Sequence, residues 1–247
     1  RLRLRMFRWQ KTPHPDDAAR RRFDDMLRAG VALLQTDTLR GIELLLRGGL
    51  FVLQSGDERD LGKALTSFLV ASVALGKDQA TLDRTIEETE PFASESHDVH
   101  TRIFWLYGRG VARLLGPRSD PEGALADFDR SLEIMAAKHV LPSDAFTRCS
   151  TQWLRICSLV GMGQFSGAAN NLQSSLEDAW NRADLSLVPM LAGRLSALSS
   201  IALGDPSMVE RAERELERAR RAWSAPSATL QEMELAHGEW LLHLHAG

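Results

Sequence analysis

The chain has 247 residues, of which 44% are hydrophobic and 26% charged, the balance of a folded globular protein and not of a disordered one. Thirty basic residues against 33 acidic ones leave a formal net charge of −3, so there is no bulk electrostatic case for nucleic acid as a partner. No run approaches the roughly 18 apolar residues of a membrane span, no signal-peptide pattern opens the chain, and the two cysteines read as free thiols in a reducing, cytoplasmic setting.

In chain order, Arg1–Trp9 alternates Arg with Leu over its first five residues, a period that would suit a short strand, but with nothing following to pair with it is expected to be the tail of an upstream helix. Pro13 and Pro15 break it, and Asp16 and Asp17 open a helix through about Gln35. Asp37 or Thr38 caps the next, which stops at Ser55-Gly56. Asp57 opens a third, with Leu61, Ala64, Leu65, Phe68, Leu69 and Ser72 on one face, and it ends at Gly76. Asp78 starts a polar partner with Leu82, Ile86 and Thr89 inward, closed by Pro91. Asp98 begins the apolar helix of Ile103, Trp105, Leu106 and Leu114, which ends at Gly116-Pro117.

Asp120-Pro121 is an N-cap followed by proline at the first helical position. Ser143 or Asp144 caps the helix carrying Trp153. After the turn Gly161-Met162-Gly163 its partner runs to about Ala183. Asp184 begins a further helix, in which Pro189 must sit in the first turn or kink it, and Gly204 stops it. Asp205-Pro206 repeats the Asp-Pro start, and Pro226 separates off a last helix from about Ala228 to Ala246. Every segment has helical period and no strand pair emerges, so the expected fold class is all-α, with about ten or eleven helices.

A spaced pattern recurs in the second helix of three hairpins: Ala124, Phe128, Ser131; Ala168, Leu172, Ser175; and Ala212, Leu216, Ala219. Successive sets are 44 residues apart and follow the turn glycines Gly116, Gly163 and Gly204. A fixed period of this size with helix–turn–helix content is the mark of an α-solenoid. The order Trp153, Gly163, Ala168, Leu172, Leu176 resembles the tetratricopeptide repeat. The resemblance is degenerate: the small residue expected midway along the first helix is Ala197 in one hairpin but Ile156 and Arg109 in the others. It implies one helical-repeat domain over residues 1–247, a right-handed superhelix whose clearest units are 98–138, 143–183 and 187–223.

Three further places, the RLRLR start, Asp37-Thr38-Leu39-Arg40-Gly41 with the apolar run to Gly56-Asp57, and Ala222-Trp223-Ser224, together resemble the C-terminal helical region of large bacterial serine/threonine protein kinases. In that family a kinase domain and an AAA-type ATPase module precede tetratricopeptide-like repeats. Arg1 then falls mid-helix and Gly247 where the turn to a further helix is expected, so the chain reads as a piece of a longer one, open-ended at both termini. Neither a kinase motif set nor a P-loop is present in these residues, and the segment is expected to be non-catalytic.

The remaining constellations have ordinary explanations. His97 and His100 share a metal-like spacing but sit at a helix start, where such residues cap. Gly163-Gln-Phe-Ser166-Gly167 lacks the spacing and the strand of a nucleophile elbow. Cys149 and Cys157 lie about 12 Å apart along one helix, too far to bridge, and Cys157 with no positioned base is a packing thiol. No cofactor and no metal is expected.

In the tetratricopeptide family the first helices line a concave groove. Carried over, the groove positions are Ser150, Trp153 and Cys157, flanked by Arg113 and Arg194; the competing reading is that Trp105 and Trp153 simply fill inter-helix space. The resemblance implies a protein-interaction or regulatory scaffold that binds a protein, a peptide or other domains of its parent. The alternative is the small-ligand sensor lobe of a signal-transduction ATPase transcription regulator.

Overall fold

The computed structural model describes residues 17–33, 37–55, 58–138, 145–223 and 229–247. The Arg1–Trp9 segment, the prolines at 13 and 15, the expected caps Asp16, Asp57, Ser143 and Asp144, the expected helix end at Gln35, and Pro226 lie outside them. The described residues form eleven helices and no strand, so the protein is all-α. The chain divides into two compact units, Arg1–Val140 and Leu141–Gly247.

The first unit holds α1 (Asp17–Leu33), α2 (Thr38–Ser55), α3 (Glu58–Ala74), α4 (Gln79–Ala93), α5 (Val99–Leu115) and α6 (Pro121–Lys138). Each of these helices packs on its neighbour in sequence, and α3 also packs on α5. The aspartates expected as caps do cap: Asp37, Asp78, Asp98 and Asp120 accept the backbone N–H of Arg40, Thr81, His100 and Gly123. Leu61, Ala64, Leu65, Phe68 and Leu69 are all buried, as their helical spacing required, while Ser72 is only half-buried. Trp105 is 1% exposed and packs with Leu69, Leu82, Ala93 and Ala112. It fills inter-helix space and lines no groove.

One boundary in this unit differs from expectation. Pro91 does not close α4, which continues to Ala93. Proline forfeits a single helical hydrogen bond, and the Ser94 N–H still reaches the Glu90 carbonyl at 3.0 Å.

The second unit holds α7 (Ala145–Gly161), α8 (Phe165–Asn181), a bent α9, α10 (Pro206–Ala222) and α11 (Leu230–Ala246). Helix α9 runs as Val188–Met190, a π turn Leu191–Leu195, and Ser196–Leu203. It packs against α7, α8, α10 and α11. It starts at Val188 and not at Asp184, because the Asp184 carboxylate is committed to a preceding turn, accepting from the Ser186 hydroxyl and the Leu187 N–H. Pro189 is indeed in the first turn; the bend is at Gly193, whose ψ of −126° leaves the helical region.

The three small-residue sets of the 44-residue register are matched in burial. Ala124, Ala168 and Ala212 are 0–2% exposed, and Phe128, Leu172 and Leu216 are 0–5%. At the third position Ser131 and Ala219 are fully buried and Ser175 half-buried. The turns preceding two of the sets are alike, with Gly163 and Gly204 at φ of +72° and +67°, a conformation glycine adopts without penalty. Gly116 is different, at φ −70°. There a side chain is excluded because a Cβ would lie 2.4 Å from the Ala112 carbonyl oxygen.

Candidate functional site

The first helices of the second unit, α7, α9 and α11, carry four of the five residues expected in a groove. Ser150, Trp153 and Cys157 occur on one stripe of α7 at helical spacing, and Arg194 lies on the π turn of α9. All four are half-buried. The Trp153 indole N–H is buried and has no hydrogen-bond partner.

What draws Arg194 inward is a residue that sequence reasoning missed. Glu234 on α11 is 2% exposed and accepts from the Arg194 Nε through both carboxylate oxygens at 3.3 Å. Burial raises the Glu234 pKa above the ordinary 4.5, opposed by the charge and hydrogen bonds of Arg194 and by His237. Both charges act on Cys157. Burial first, with the Glu234 carboxylate adding to it and Arg194 opposing, pushes the thiol up to about 12. A thiol with that pKa is almost wholly protonated at neutral pH and is a poor nucleophile.

Glu234 is held there by a close helix crossing. A Cβ built on Gly193 would lie 2.3 Å from the Glu234 carbonyl oxygen, and one on Gly238 would lie 2.8 Å from the Gly193 carbonyl carbon. Only two glycines let α9 and α11 approach this far. Gln231, one turn before Glu234 and 1% exposed, donates to the Ser186 carbonyl at 3.5 Å. A sequence signal existed: Gln231, Glu234, Gly238 and Leu242 follow helical spacing, and all four are buried. Their polarity hid it, because the apolar stripe of Met233, Trp240 and Leu244 on the same helix is 49–60% exposed.

Cys149, one turn before Trp153, has a partner of another kind. Its thiol donates to the Asp184 Oδ2 at 2.8 Å, and burial together with that carboxylate raises its pKa to about 12. Both cysteines are free thiols.

Arg113, the fifth expected residue, belongs to the first unit. Its guanidinium donates to Asp127 at 2.9 Å and to the Gly123 carbonyl at 3.1 Å, so its hydrogen bonds tie α5 to α6. Asp127 is 3% exposed and also takes a bidentate pair from Arg109. Arg109 in turn reaches Glu90 at 3.0 Å and covers the Trp105 ring. Burial would lower the Arg109 pKa, but Asp127 and Glu90 raise it above its ordinary value. A buried aspartate on the next helix thus neutralises Arg109 midway along α5.

His97 is exposed, and the His100 backbone N–H is used by the Asp98 cap. Among the described residues no three His, Cys, Asp or Glu side chains are grouped as a metal site. No helix among them is long and apolar enough to cross a membrane. Comparison with protein-family models, with curated proteins and with solved structures gives no match for this chain.

Proposed function

We propose that this chain is a non-catalytic helical-repeat scaffold that binds a protein or peptide, its hairpins stacked within each unit in the manner of a tetratricopeptide-like α-solenoid. The observation that carries the reading is the packing order. First helices of successive hairpins touch each other, α3 with α5 and α9 with both α7 and α11, while the second helices carry the buried Ala124, Ala168 and Ala212 of the 44-residue register. Stacking of this kind builds an extended surface, which suits a protein or peptide better than a small molecule.

On the first-helix face, Ser150, Trp153 and Arg194 offer a small polar contact, an aromatic anchor and a guanidinium whose side chain is 38% exposed. Such a surface fits an acidic or amphipathic segment, with Trp and Arg as the residues that concentrate binding energy. In a parent of the kind the resemblance implies, a cytoplasmic kinase with an ATPase module, partner binding here would be relayed to the catalytic part.

The test is capture of a partner by the wild-type chain and by two variants, Trp153→Ala and Ser150→Arg, with helix content checked by circular dichroism. The partner should be retained by the wild type and lost from both variants. Equal capture by folded variants sinks the assignment of this face.

A further inference from the structure

Within the second unit, the second helices α8 and α10 enclose a cleft of about 450 Å3, floored by the C-terminal part of α9. That volume is in the range of small-molecule sites. The cleft is walled by α8 and α10, whereas Ser150 and Trp153 lie on α7, and its argument is independent of the scaffold reading.

The floor is hydroxyl-bearing. Ser196, Ser199 and Ser200 all contribute to it, and the Ser199 hydroxyl, on a residue 1% exposed, has no hydrogen-bond partner. A helical serine commonly turns its hydroxyl back to the carbonyl four residues earlier, as Ser158 does to Leu154 here. Ser199 does not, so it is a buried polar group whose bond a ligand would supply.

Two links join the walls. Glu177 of α8 faces Arg211 of α10 at 3.6 Å, and one turn further along the Trp180 indole N–H donates to Glu215 at 3.1 Å while Arg218 stacks over the Trp180 ring at 4.0 Å. The second link is tight. The first is an ion pair beyond hydrogen-bond length between side chains 46% and 62% exposed, so opening it gives up little. The charged groups at the cleft are two carboxylates and two guanidiniums. A purely anionic ligand would meet Glu177 and Glu215, and a purely cationic one Arg211 and Arg218.

We propose that this cleft binds a small zwitterion of the α-amino-acid class, its carboxylate on Arg211, its ammonium on Glu177 and a polar atom within reach of Ser199. A carboxylate and an ammonium on one carbon are close enough to enter the Glu177–Arg211 gap and replace a loose contact by two charge-assisted hydrogen bonds.

The experiment is isothermal titration of the full chain with the proteinogenic amino acids one at a time, with inorganic phosphate and glucose as anionic and neutral comparison probes, and Trp fluorescence as a second readout. At least one amino acid should bind saturably, and Arg211→Gln and Glu177→Gln should each weaken it by about tenfold or more, the loss of one charge-assisted contact. Both side chains are largely solvated, and circular dichroism establishes that the variants fold. Ser199→Ala should weaken binding less than either. Saturable binding by phosphate or glucose but by no amino acid overturns the ligand class. No binding by any probe, or amino-acid binding indifferent to both charge variants, overturns the site. Loss of partner capture in the Trp153→Ala variant with amino-acid binding intact would separate the two surfaces.

Discussion

Replacing Gly193 by alanine tests the helix crossing on which the buried Glu234 depends. The added Cβ would lie 2.3 Å from the Glu234 carbonyl oxygen and 2.5 Å from its carbonyl carbon, where an ordinary contact begins at 3.4 Å. Both are backbone atoms and cannot rotate away. Helices α9 and α11 must therefore part by about 1 Å, and a gap of that size forfeits about a quarter to a half of each dispersion contact across it. Leu191, Leu195 and Leu235, all 0–1% exposed, lie beside the crossing. The expected cost is about 1–3 kcal/mol of overpacking. For a unit of about a hundred residues that lowers the melting temperature by at least about 4 °C. Gly238→Ala acts on the same crossing, so the double variant should cost less than the two single losses added. Gly167→Ala is the control: in the first turn of α8, with nothing within 4 Å of its Cβ position, alanine there meets no clash and should not lower stability. Scanning calorimetry of the four variants decides it. A Gly193→Ala protein that melts with the wild type, or a Gly167→Ala protein that falls equally, would refute the crossing as the constraint.

Ala168 is 0% exposed, so Ala168→Leu should cost about 1–3 kcal/mol in urea titration, and an unchanged midpoint would contradict the 44-residue register. Asp127→Ala leaves Arg109 and Arg113 without their shared carboxylate, and since both guanidiniums are partly solvated and keep another acceptor the loss should be about 1.5–3 kcal/mol, read as a drop in the first unit's melting temperature. Burial alone would raise the Asp98 pKa, but hydrogen bonds from Lys63, Thr101 and the His100 N–H, with the Lys63 charge, hold it at about 2. Its stabilising share is therefore present above the ordinary 3.8 and lost as pH falls through 2, a dependence that Asp98→Asn should flatten in acid titrations followed by circular dichroism. Glu234 has the opposite sign: its raised pKa makes its contribution largest below 4.5 and smaller as pH rises, so Glu234→Gln should flatten the second unit's pH profile in the other direction. Cys149 and Cys157, both raised to about 12, should react with a thiol-specific chromophore at neutral pH only after denaturation, whereas rapid labelling of the native chain would contradict their burial.

Helix ends were readable because their chemistry is local. An aspartate that accepts an N–H two or three residues ahead needs no tertiary partner, and Asp37, Asp78, Asp98, Asp120 and Asp205 all cap where a single glance at spacing places them. The buried alanines of the repeat were readable for a related reason: a 44-residue recurrence repeats the same packing problem three times. Pro91 misled because a proline costs a helix a single hydrogen bond and α4 runs past it, while Asp184 caps a turn that leads into α9 and not the helix itself. The Gly193–Gly238 crossing and the Glu234–Arg194 pair were unreadable since they join residues some 40 positions apart that share no motif. Periodicity on α11 even favours the wrong face, because its apolar stripe is the solvent side.

The same local chemistry governs the mid-helix positions of α5, α7 and α9. Midway along α9, Ala197 is 1% exposed and takes little volume. Ile156 fills the position in α7 with apolar volume at the same exposure. Arg109 cannot do either, and a buried guanidinium alone would cost several kcal/mol. Its neighbour Asp127 removes that cost through two hydrogen bonds from the same guanidinium, with Arg113 donating as well. Arg109 and Asp127 are therefore the two halves of one pair that joins α5 to α6. A specific ion network joins α5 to α6 in the first unit, and a glycine crossing over a buried glutamate joins α9 to α11 in the second, so the two units hold their helices by different contacts. Trp153, Arg194 and the Glu177–Arg211 cleft, on which the two proposals rest, all lie in the second unit.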